Sequence, residues 1–251
     1  MAENMLEVNN LTVFFENAIA LNDFSLEVKA GEIVAVLGAN SAGKTTLMNT
    51  ISGLIIDMRK KEMRKGGERI SIMGKIKFKG KDITDTEPFK RVEKGITLSR
   101  ERHPIFTDSD VEENLKISTY LRKDRGIKNS FDFVYSIFPA LKLLRRRKAG
   151  FCSGGEQQML SIGMALMTRP ELLLMDEPLL GLSPALQSNV FRAMQQIQRE
   201  GITILVSEQY ARTLLPIVDR GYVISSGMLT FKGTSQELMD NPEVRSAFMG
   251  L

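Results

Sequence analysis

The sequence predicts an α/β fold, and three observations support that prediction. The run from Ile33 to Leu37 is short, apolar and rich in β-branched residues, and a glycine-rich turn and a helical pattern follow it. From residue 153 onward, predicted helices and strands alternate. The 251 residues are 43% hydrophobic, which is enough for the core of one large domain. We therefore expect one α/β core that carries smaller β and helical parts.

The glycine-rich turn fits the pattern G-x-x-x-x-G-K-[ST] without a mismatch. It consists of Gly38, Ala39, Asn40, Ser41, Ala42, Gly43, Lys44, Thr45 and Thr46. Gly38 and Gly43 allow successive backbone N–H groups to point at phosphate oxygens, and the helix dipole adds positive potential there. Lys44 is predicted to reach the β- and γ-phosphates, and the Thr45 hydroxyl to ligate Mg²⁺. The turn therefore predicts a P-loop nucleotide site.

The residues before this turn predict a small antiparallel sheet. Residues 6–8 and 11–15 have strand character, and Phe24 to Val28 alternate with period two, as a half-buried strand does. Phe15 could stack on an adenine ring, because base stacking needs only a flat π-face. It could equally be a core residue, and the sequence leaves both interpretations open.

The middle of the chain changes character. Residues 58–67 are basic and end in Gly-Gly, which we interpret as a loop inserted into the small sheet before a strand at 70–78. A capped helix is expected over 82–95 and a core strand over 95–98. Residues 99–152 are predicted to form a helical insertion. Beyond it we expect helices at 155–168 and 184–199, strands at 171–175 and 202–206, and short strands with a helix near 234–248.

The strand that ends at Asp176 and Glu177 supplies the carboxylates that a P-loop site needs. Residues 172–175 are apolar, and the two acids follow directly. Asp176 is predicted to hold Mg²⁺ through water. Glu177 is predicted to orient or deprotonate the water that attacks the γ-phosphate.

Ser153, Gly154 and Gly155 open a helix and offer a second phosphate site in the same chain. One chain cannot aim both sites at one nucleotide, so we expect the second site to act on ATP bound to another copy or another subunit. With these motifs the sequence resembles the ATP-binding subunits of ABC transporters. The resemblance runs nearly end to end, and narrows to the LivF branch through four stretches: 181–184, 206–209, 219–223 and 241–245.

The resemblance implies a P-loop NTPase (RecA-like) core with an antiparallel β subdomain and a helical subdomain. It implies an ATPase that serves a branched-chain amino-acid importer, or an importer of related amides or urea. It also implies three partners: membrane permease subunits, a second ATPase subunit of the LivG type or a second copy of this chain, and, indirectly, an extracytoplasmic solute-binding protein. Such an ATPase lies at the inner face of the membrane.

The chain departs from the family pattern at several positions. The family usually has Gly at Ser41, Leu at Cys152 and Ser at Leu179. Most ABC ATPases carry a histidine that senses the γ-phosphate where this chain has Gln209, and a glutamine where it has Glu101, which becomes a candidate Mg²⁺ ligand. The only histidine of the chain, His103, lies near Glu101 and cannot replace the missing one.

Composition limits the alternatives. The net charge of +4 is too small to argue for an anionic partner. No apolar run is long enough to span a bilayer, the N-terminus lacks secretory-signal features, and one cysteine cannot form an intrachain disulfide, so we expect a cytoplasmic protein. An ABC ATPase that acts on nucleic acid or ribosomes is the main alternative, but it usually needs a coiled coil or a second cassette. A GTPase is disfavoured because Asn-Lys-x-Asp is absent from the sequence.

Overall fold

Two β-sheets organise the chain in the computed structural model, which describes residues 4–67, 70–101, 104–122, 126–210 and 212–248. The strands, in chain order, are β1 Asn4–Phe15, β2 Ala18–Lys29, β3 Ile33–Leu37, β4 Ile70–Phe78, β5 Lys81–Asp82, β6 Ile96–Ser99, β7 Leu172–Asp176, β8 Thr203–Glu208, β9 Arg220–Ser225 and β10 Met228–Thr234. The helices are α1 Lys44–Ser52, α2 Leu54–Lys65, α3 Pro88–Glu93, α4 Val111–Ile117, α5 Ile127–Ile137, α6 Pro139–Leu143, α7 Gly154–Met167, α8 Pro184–Arg199, α9 Ser235–Asp240 and α10 Pro242–Phe248. Single 3₁₀ turns occupy Ala149–Phe151 and Leu215–Ile217.

The first sheet is antiparallel, with the strand order β2-β1-β4-β5. It confirms the predicted small sheet before the P-loop. The second sheet has the order β10-β9-β3-β8-β7-β6, and all its neighbouring strands are parallel except β9 and β10. The predicted α/β fold class is therefore confirmed.

Strand β3 lies inside the second sheet, between β8 and β9, and is buried on both faces. Ile33, Ala35 and Leu37 pack into a core shared with α7 and α8, whereas Val34 and Val36 pack into a core shared with the first sheet. Side chains alternate between the two faces of a strand, so β3 joins both cores. The carboxyl ends of β3, β7 and β8 lie side by side, because Leu37 pairs with Glu208 and Asp176 with Ser207. This edge positions the site.

The basic stretch after α1 is a helix, so the prediction of an inserted loop at 58–67 was wrong. Helix α2 extends from Leu54 to Lys65 and ends at Gly66, whose φ of 68° breaks the helix. Ile55 and Ile56 are buried and anchor its first turn. Met, Lys, Arg and Glu are good helix formers, and no glycine or proline interrupts them before Gly66.

The predicted helix over 82–95 is shorter than expected. Asp82 belongs to β5, and its carboxylate accepts a hydrogen bond from the Thr84 N–H at 2.9 Å, which stabilises a turn instead of a helix start. The helix begins at Pro88, as proline favours at the first helical position. The C-terminal helix is likewise divided into α9 and α10, where Pro242 begins the second segment.

Helices α4 to α6 fall within residues 99–152 and pack against one another and against α7. Asp110 begins α4 through a capping box with Glu113, in which each side chain accepts a hydrogen bond from the other residue's backbone N–H. The other predicted elements of the α/β core are confirmed with shifts of one or two residues at their ends.

Candidate functional site

The P-loop connects β3 to α1 and depends on its two outer glycines. The Gly38 N–H donates to the Glu208 carbonyl at 3.2 Å, and a Cβ atom at Gly38 would lie 2.6 Å from the Ile224 carbonyl oxygen. Gly43 has a φ of 109°, and a Cβ atom there would lie 2.6 Å from the Ala20 carbonyl oxygen. Neither position has room for a side chain. The backbone can therefore turn tightly and leave Ala39, Asn40 and Ser41 exposed.

Ser41 adopts a left-handed conformation, with a φ of 62°. This region costs a residue with a Cβ about 1–2 kcal/mol and is free of cost for glycine. The glycine that the family resemblance implies at this position would adopt this conformation without strain, whereas this chain holds a serine there. The side chain is exposed, so it does not clash with the loop.

Lys44 is buried beneath the loop, with 3% of its surface exposed. Its Nζ donates to the carbonyl oxygens of Gly38 at 2.8 Å and Ala39 at 2.9 Å. It also forms an ion pair with Glu177 Oε1 at 3.0 Å. The predicted phosphate-binding cation and the predicted base thus contact each other directly at the sheet edge.

Asp176 ends β7 and is buried. Its Oδ1 accepts a hydrogen bond from the Ser207 hydroxyl at 2.6 Å, and its carboxylate also bonds the Thr45 hydroxyl. Burial raises the pKa of Asp176, the bonds from Ser207 and Thr45 lower it, and the nearby charges of Glu177 and Glu101 raise it further. The structure therefore joins Thr45 to Asp176 by a hydrogen bond, and the charge of Glu101 acts on Asp176; a shared metal site of the three residues stays a prediction.

These oxygens fit Mg²⁺, which prefers hard oxygen donors and usually takes only one or two carboxylates, leaving its other positions to phosphates and water. Among the described residues, no group of three or more His, Cys, Asp or Glu side chains could hold a metal ion. His103 lies outside the described residues.

Glu177 follows Asp176 in a strained backbone conformation, with a φ of 46°. Its N–H is held by the Ser207 carbonyl at 3.1 Å and the Ser207 hydroxyl at 3.2 Å. The two neighbouring carboxylates consequently take different directions: Asp176 bonds Thr45 and Ser207, and Glu177 faces Lys44. Gln209 is half-buried at the end of β8, on the same sheet edge.

Glu208 is a candidate site residue that sequence reasoning missed. It is 4% exposed, its Oε1 accepts the Leu179 N–H at 2.8 Å, and its carboxyl group also accepts the Gln209 N–H. Burial raises its pKa to about 8. Glu208 therefore joins the P-loop, through its backbone, to the turn that follows Glu177, through its side chain. A carboxylate at the end of an otherwise apolar strand was the available signal.

The helix start at residues 153–155 lies apart from this edge. Ser153 and Gly154 are exposed, and Gly155 is buried so tightly that a Cβ atom would lie 2.6 Å from Leu186. Ser153 and Glu156 form a capping box that shapes the start of α7. Among the described residues, no hydrogen bond or ion pair joins 153–155 to the P-loop. The first residues of this helix are thus accessible from solvent.

Two further residues at which this chain differs from the family pattern, Leu179 and Cys152, lie in its own core. Leu179 is 5% exposed and packs in the core, so its effect falls within the subunit. Cys152 is also buried, which raises its pKa, and it acts as a small apolar residue just before the start of α7.

Phe15 is partly buried against the core under the first sheet, at the hairpin whose Ala20 carbonyl adjoins Gly43. Both interpretations of Phe15 remain compatible with this position.

Comparison with known proteins identifies the class. Residues 21–180 match the family model described as ABC transporter. The chain is similar to the high-affinity branched-chain amino acid transport ATP-binding protein BraG of Pseudomonas aeruginosa, with 37% identity over 98% of this chain and 100% of that protein. It is also similar to the probable branched-chain amino acid transport ATP-binding protein LivF of Archaeoglobus fulgidus, with 32% identity over 98% and 99% of the two chains.

The solved structures agree. The ADP conformation of MJ1267, an ATP-binding cassette of an ABC transporter, superimposes with a TM-score of 0.82 at 27% identity and covers 99% of both chains. The chain therefore belongs to the ABC transporter family and is an ATP-binding cassette ATPase. Within the described ranges, no helix is both long and apolar enough to cross a membrane.

Substitutions of Lys44 and of Glu177 should cause different defects. Lys44→Ala should abolish ATP binding, because the lysine contacts ground-state phosphates. Glu177→Gln should bind ATP normally and lose hydrolysis, because Glu177 acts mainly on the attacking water. Nucleotide affinity and single-turnover rates measure both effects. Hydrolysis by Glu177→Gln at near wild-type rate would exclude Glu177 as the base.

Phe15→Ala distinguishes the two interpretations of that residue. If Phe15 stacks on adenine, ATP affinity should fall by about 1–3 kcal/mol with little loss of stability. Phe14, its neighbour on β1, offers a matched control, because Phe14→Ala removes an equal aromatic side chain. Calorimetric ATP titration and thermal unfolding of both variants decide the point. Unchanged affinity together with a destabilised fold would make Phe15 a core residue.

Substitution of Glu208 tests whether it positions the turn after Glu177. Glu208→Ala leaves the buried Leu179 N–H without its acceptor, so kcat should fall by about ten- to a hundredfold with little change in ATP affinity. Glu208→Gln keeps an acceptor oxygen and should retain most activity at pH 7. Equal losses in both variants would contradict a positioning role.

The stability of the wild-type protein should also depend on pH. Because burial raises the pKa of Glu208 in the folded protein to about 8, above its ordinary value of 4.5, the unfolded state loses its proton first. The contribution of Glu208 to the free energy of unfolding therefore decreases as the pH rises between these two pKa values, and it does not decrease further above about pH 8. Glu208→Gln should lack this decrease. Unfolding midpoints of wild type and variant across this range measure it.

Proposed function

We propose that the chain is the ATP-hydrolysing subunit of an ABC importer for branched-chain amino acids or a related small solute. The observation that carries the proposal is the sheet edge at which Lys44 faces Glu177 at 3.0 Å and Asp176 bonds Thr45. A phosphate-binding lysine, a carboxylate base and a hydroxyl–carboxylate pair suited to Mg²⁺ are the groups that phosphoryl transfer to water uses. The names of BraG and LivF support the solute class.

Each residue at this sheet edge has a separate role in ATP hydrolysis. The P-loop N–H groups and Lys44 bind the β- and γ-phosphates, and Lys44 exchanges its bonds to Gly38, Ala39 and Glu177 for phosphate oxygens. Thr45 and, through water, Asp176 would hold Mg²⁺, with Glu101 nearby, and the ion would supply positive charge against the phosphates. Glu177, released from Lys44, accepts a proton from the attacking water. The side-chain amide of Gln209 donates to the γ-phosphate.

The exposed start of α7 completes the site of a second subunit. Ser153, Gly154 and Gly155 contact the γ-phosphate of an ATP bound to the P-loop of a partner, and the partner's equivalent residues cover this chain's ATP. Two ATPs are then held between two ATPase subunits. The partner is a LivG-type subunit, with a homodimer as the alternative.

The permease docks in the groove between the α/β core and the helices of residues 99–152, which we regard as the helical subdomain. This groove has a volume of about 330 Å³, and its lining includes Val92, Ile117, Tyr120, Leu121 and Met164. Tyr120 is 90% exposed, Ile117 43% and Leu121 39%, so these side chains are accessible to a partner. Docking there places the chain at the cytoplasmic face of the membrane, and an extracytoplasmic binding protein delivers the solute to the permease.

No observation favours action on nucleic acid, and no nucleic-acid partner is proposed. The relatives named above are transport proteins, and the basic charge is divided between two local segments instead of forming one continuous surface.

Reconstitution tests the assembly. The isolated chain should hydrolyse ATP slowly, because Gln209, Glu101 and Ser41 would be present at both sites of a homodimer. Adding a LivG-type subunit and the permease should raise the rate by about tenfold or more, as expected when a second subunit completes the transition-state contacts. Steady-state ATPase rates in liposomes with and without each component measure the effect.

Two variants separate the parts of this proposal. Tyr120→Ala should weaken assembly with the permease and leave ATP affinity unchanged. Tyr210→Ala removes another exposed tyrosine, outside the groove, and should leave assembly intact. An isolated chain that dimerises tightly with ATP and turns over as fast as the whole assembly would disprove the mixed dimer.

A further inference from the structure

The last turns of α2 carry three exposed cations on one face of the helix. Lys61, Arg64 and Lys65 are spaced i, i+3 and i+4, so their side chains are neighbours. Met58, one turn earlier on the same face, is 38% exposed. This face, defined by these four residues and called here the α2 basic face, combines positive charge with an accessible apolar side chain.

Most other charges of the helix have local roles. Arg59 pairs with Asp85 at 3.8 Å, and Lys60 pairs with Glu87. The carboxylate of Glu62 lies beside Gly67, where a Cβ atom would be 2.9 Å from it. Within the described ranges, none of the three cations of the α2 basic face forms an ion pair.

The position of α2 indicates which surface lies near these three cations. Helix α2 packs against α3, and α3 contributes Val92 to the groove that we assign to the permease. Helix α2 is therefore a neighbour of a helix that borders the groove, and we place the α2 basic face on the membrane side of the subunit, a step that rests on the proposed function. The inner leaflet carries anionic lipids whose negative surface potential attracts Lys and Arg within about 10 Å.

We propose that the α2 basic face binds the headgroups of anionic phospholipids beside the permease. Lys61, Arg64 and Lys65 contact the phosphates, and Met58 contacts the boundary between headgroups and acyl chains. The contact is electrostatic and reversible, and it supplements the docking of the subunit on its permease.

A second basic segment, residues 145–148, serves as a comparison for the α2 basic face. Arg146 lies 3.8 Å from Asp110 and 3.7 Å from Glu112, and Arg145 lies 4.0 Å from Glu112. These carboxylates neutralise much of the local charge, so this run should bind anionic lipid weakly. Removing equal numbers of cations from the α2 basic face and from this second segment should therefore affect lipid binding differently.

Binding of the purified full chain to vesicles of phosphatidylglycerol and phosphatidylcholine tests the proposal without the permease. Wild type should bind vesicles that contain phosphatidylglycerol, should not bind phosphatidylcholine alone, and should be released as salt is raised towards about 1 M. Each Lys or Arg near an anionic surface contributes about fivefold in affinity. The triple variant Lys61→Gln, Arg64→Gln, Lys65→Gln should therefore bind about a hundredfold more weakly.

The matched control is the triple variant Lys142→Gln, Arg145→Gln, Arg146→Gln, which also removes three positive charges and should bind nearly as wild type. Equal losses in the two variants would show a general effect of net charge and would overturn the proposal, as would wild type that does not bind. Normal vesicle binding by the α2 variant combined with lost permease assembly would indicate an acidic protein surface instead. ATP affinity and assembly in detergent report on the proposed function separately, since neither needs lipid.

Discussion

The ion pair between Lys44 and Glu177 depends on the second sheet being parallel at β3, β8 and β7. Parallel strands place their carboxyl ends on one edge, so the residues that follow β3 and β7 converge although more than 130 positions separate them in the chain. The ion pair then requires the Gly38–Gly43 loop on one side and a left-handed Glu177 on the other. Loss of either would direct one of the two side chains away from the site.

Ser207 and Glu208 hold that geometry from the strand between them. Ser207 bonds both Asp176 and the Glu177 N–H, and Glu208 bonds the Leu179 N–H and, through its carbonyl, the Gly38 N–H. Strand β8 therefore fixes the P-loop and the turn after β7 relative to each other. A strained residue persists only where surrounding bonds over-determine it, and the bonds to Glu177 are of that kind.

The fold class and the site edge could be predicted because glycine spacing and apolar runs are local signals. The P-loop, Asp176 and Glu177 follow directly from motif and strand pattern. Helix α2 could not be separated from a loop because a charged run without apolar periodicity has the same composition in both. Glu208 was missed because its importance comes from burial and from bonds to distant residues, which depend on the packing of β8 between β3 and β7. The roles of Gln209, Glu101 and Phe15 stay predictions.

The positions of the family departures bear on how two subunits share the work. Leu179 and Cys152 are buried in this chain's own core, so they need no compensation from a partner. Glu101 and Gln209 lie at the P-loop edge, and Ser41 in the loop itself, so they alter the site that this chain's own Lys44 forms. An amide at position 209 can donate to phosphate but cannot titrate near neutral pH, whereas a partner with histidine could do both. A mixed pair would therefore contain two unlike ATP sites. In the proposed pair, each subunit contributes its own sheet edge to one site and its helix start to the other, so the departures would slow one site while Ser153, Gly154 and Gly155 still complete the other.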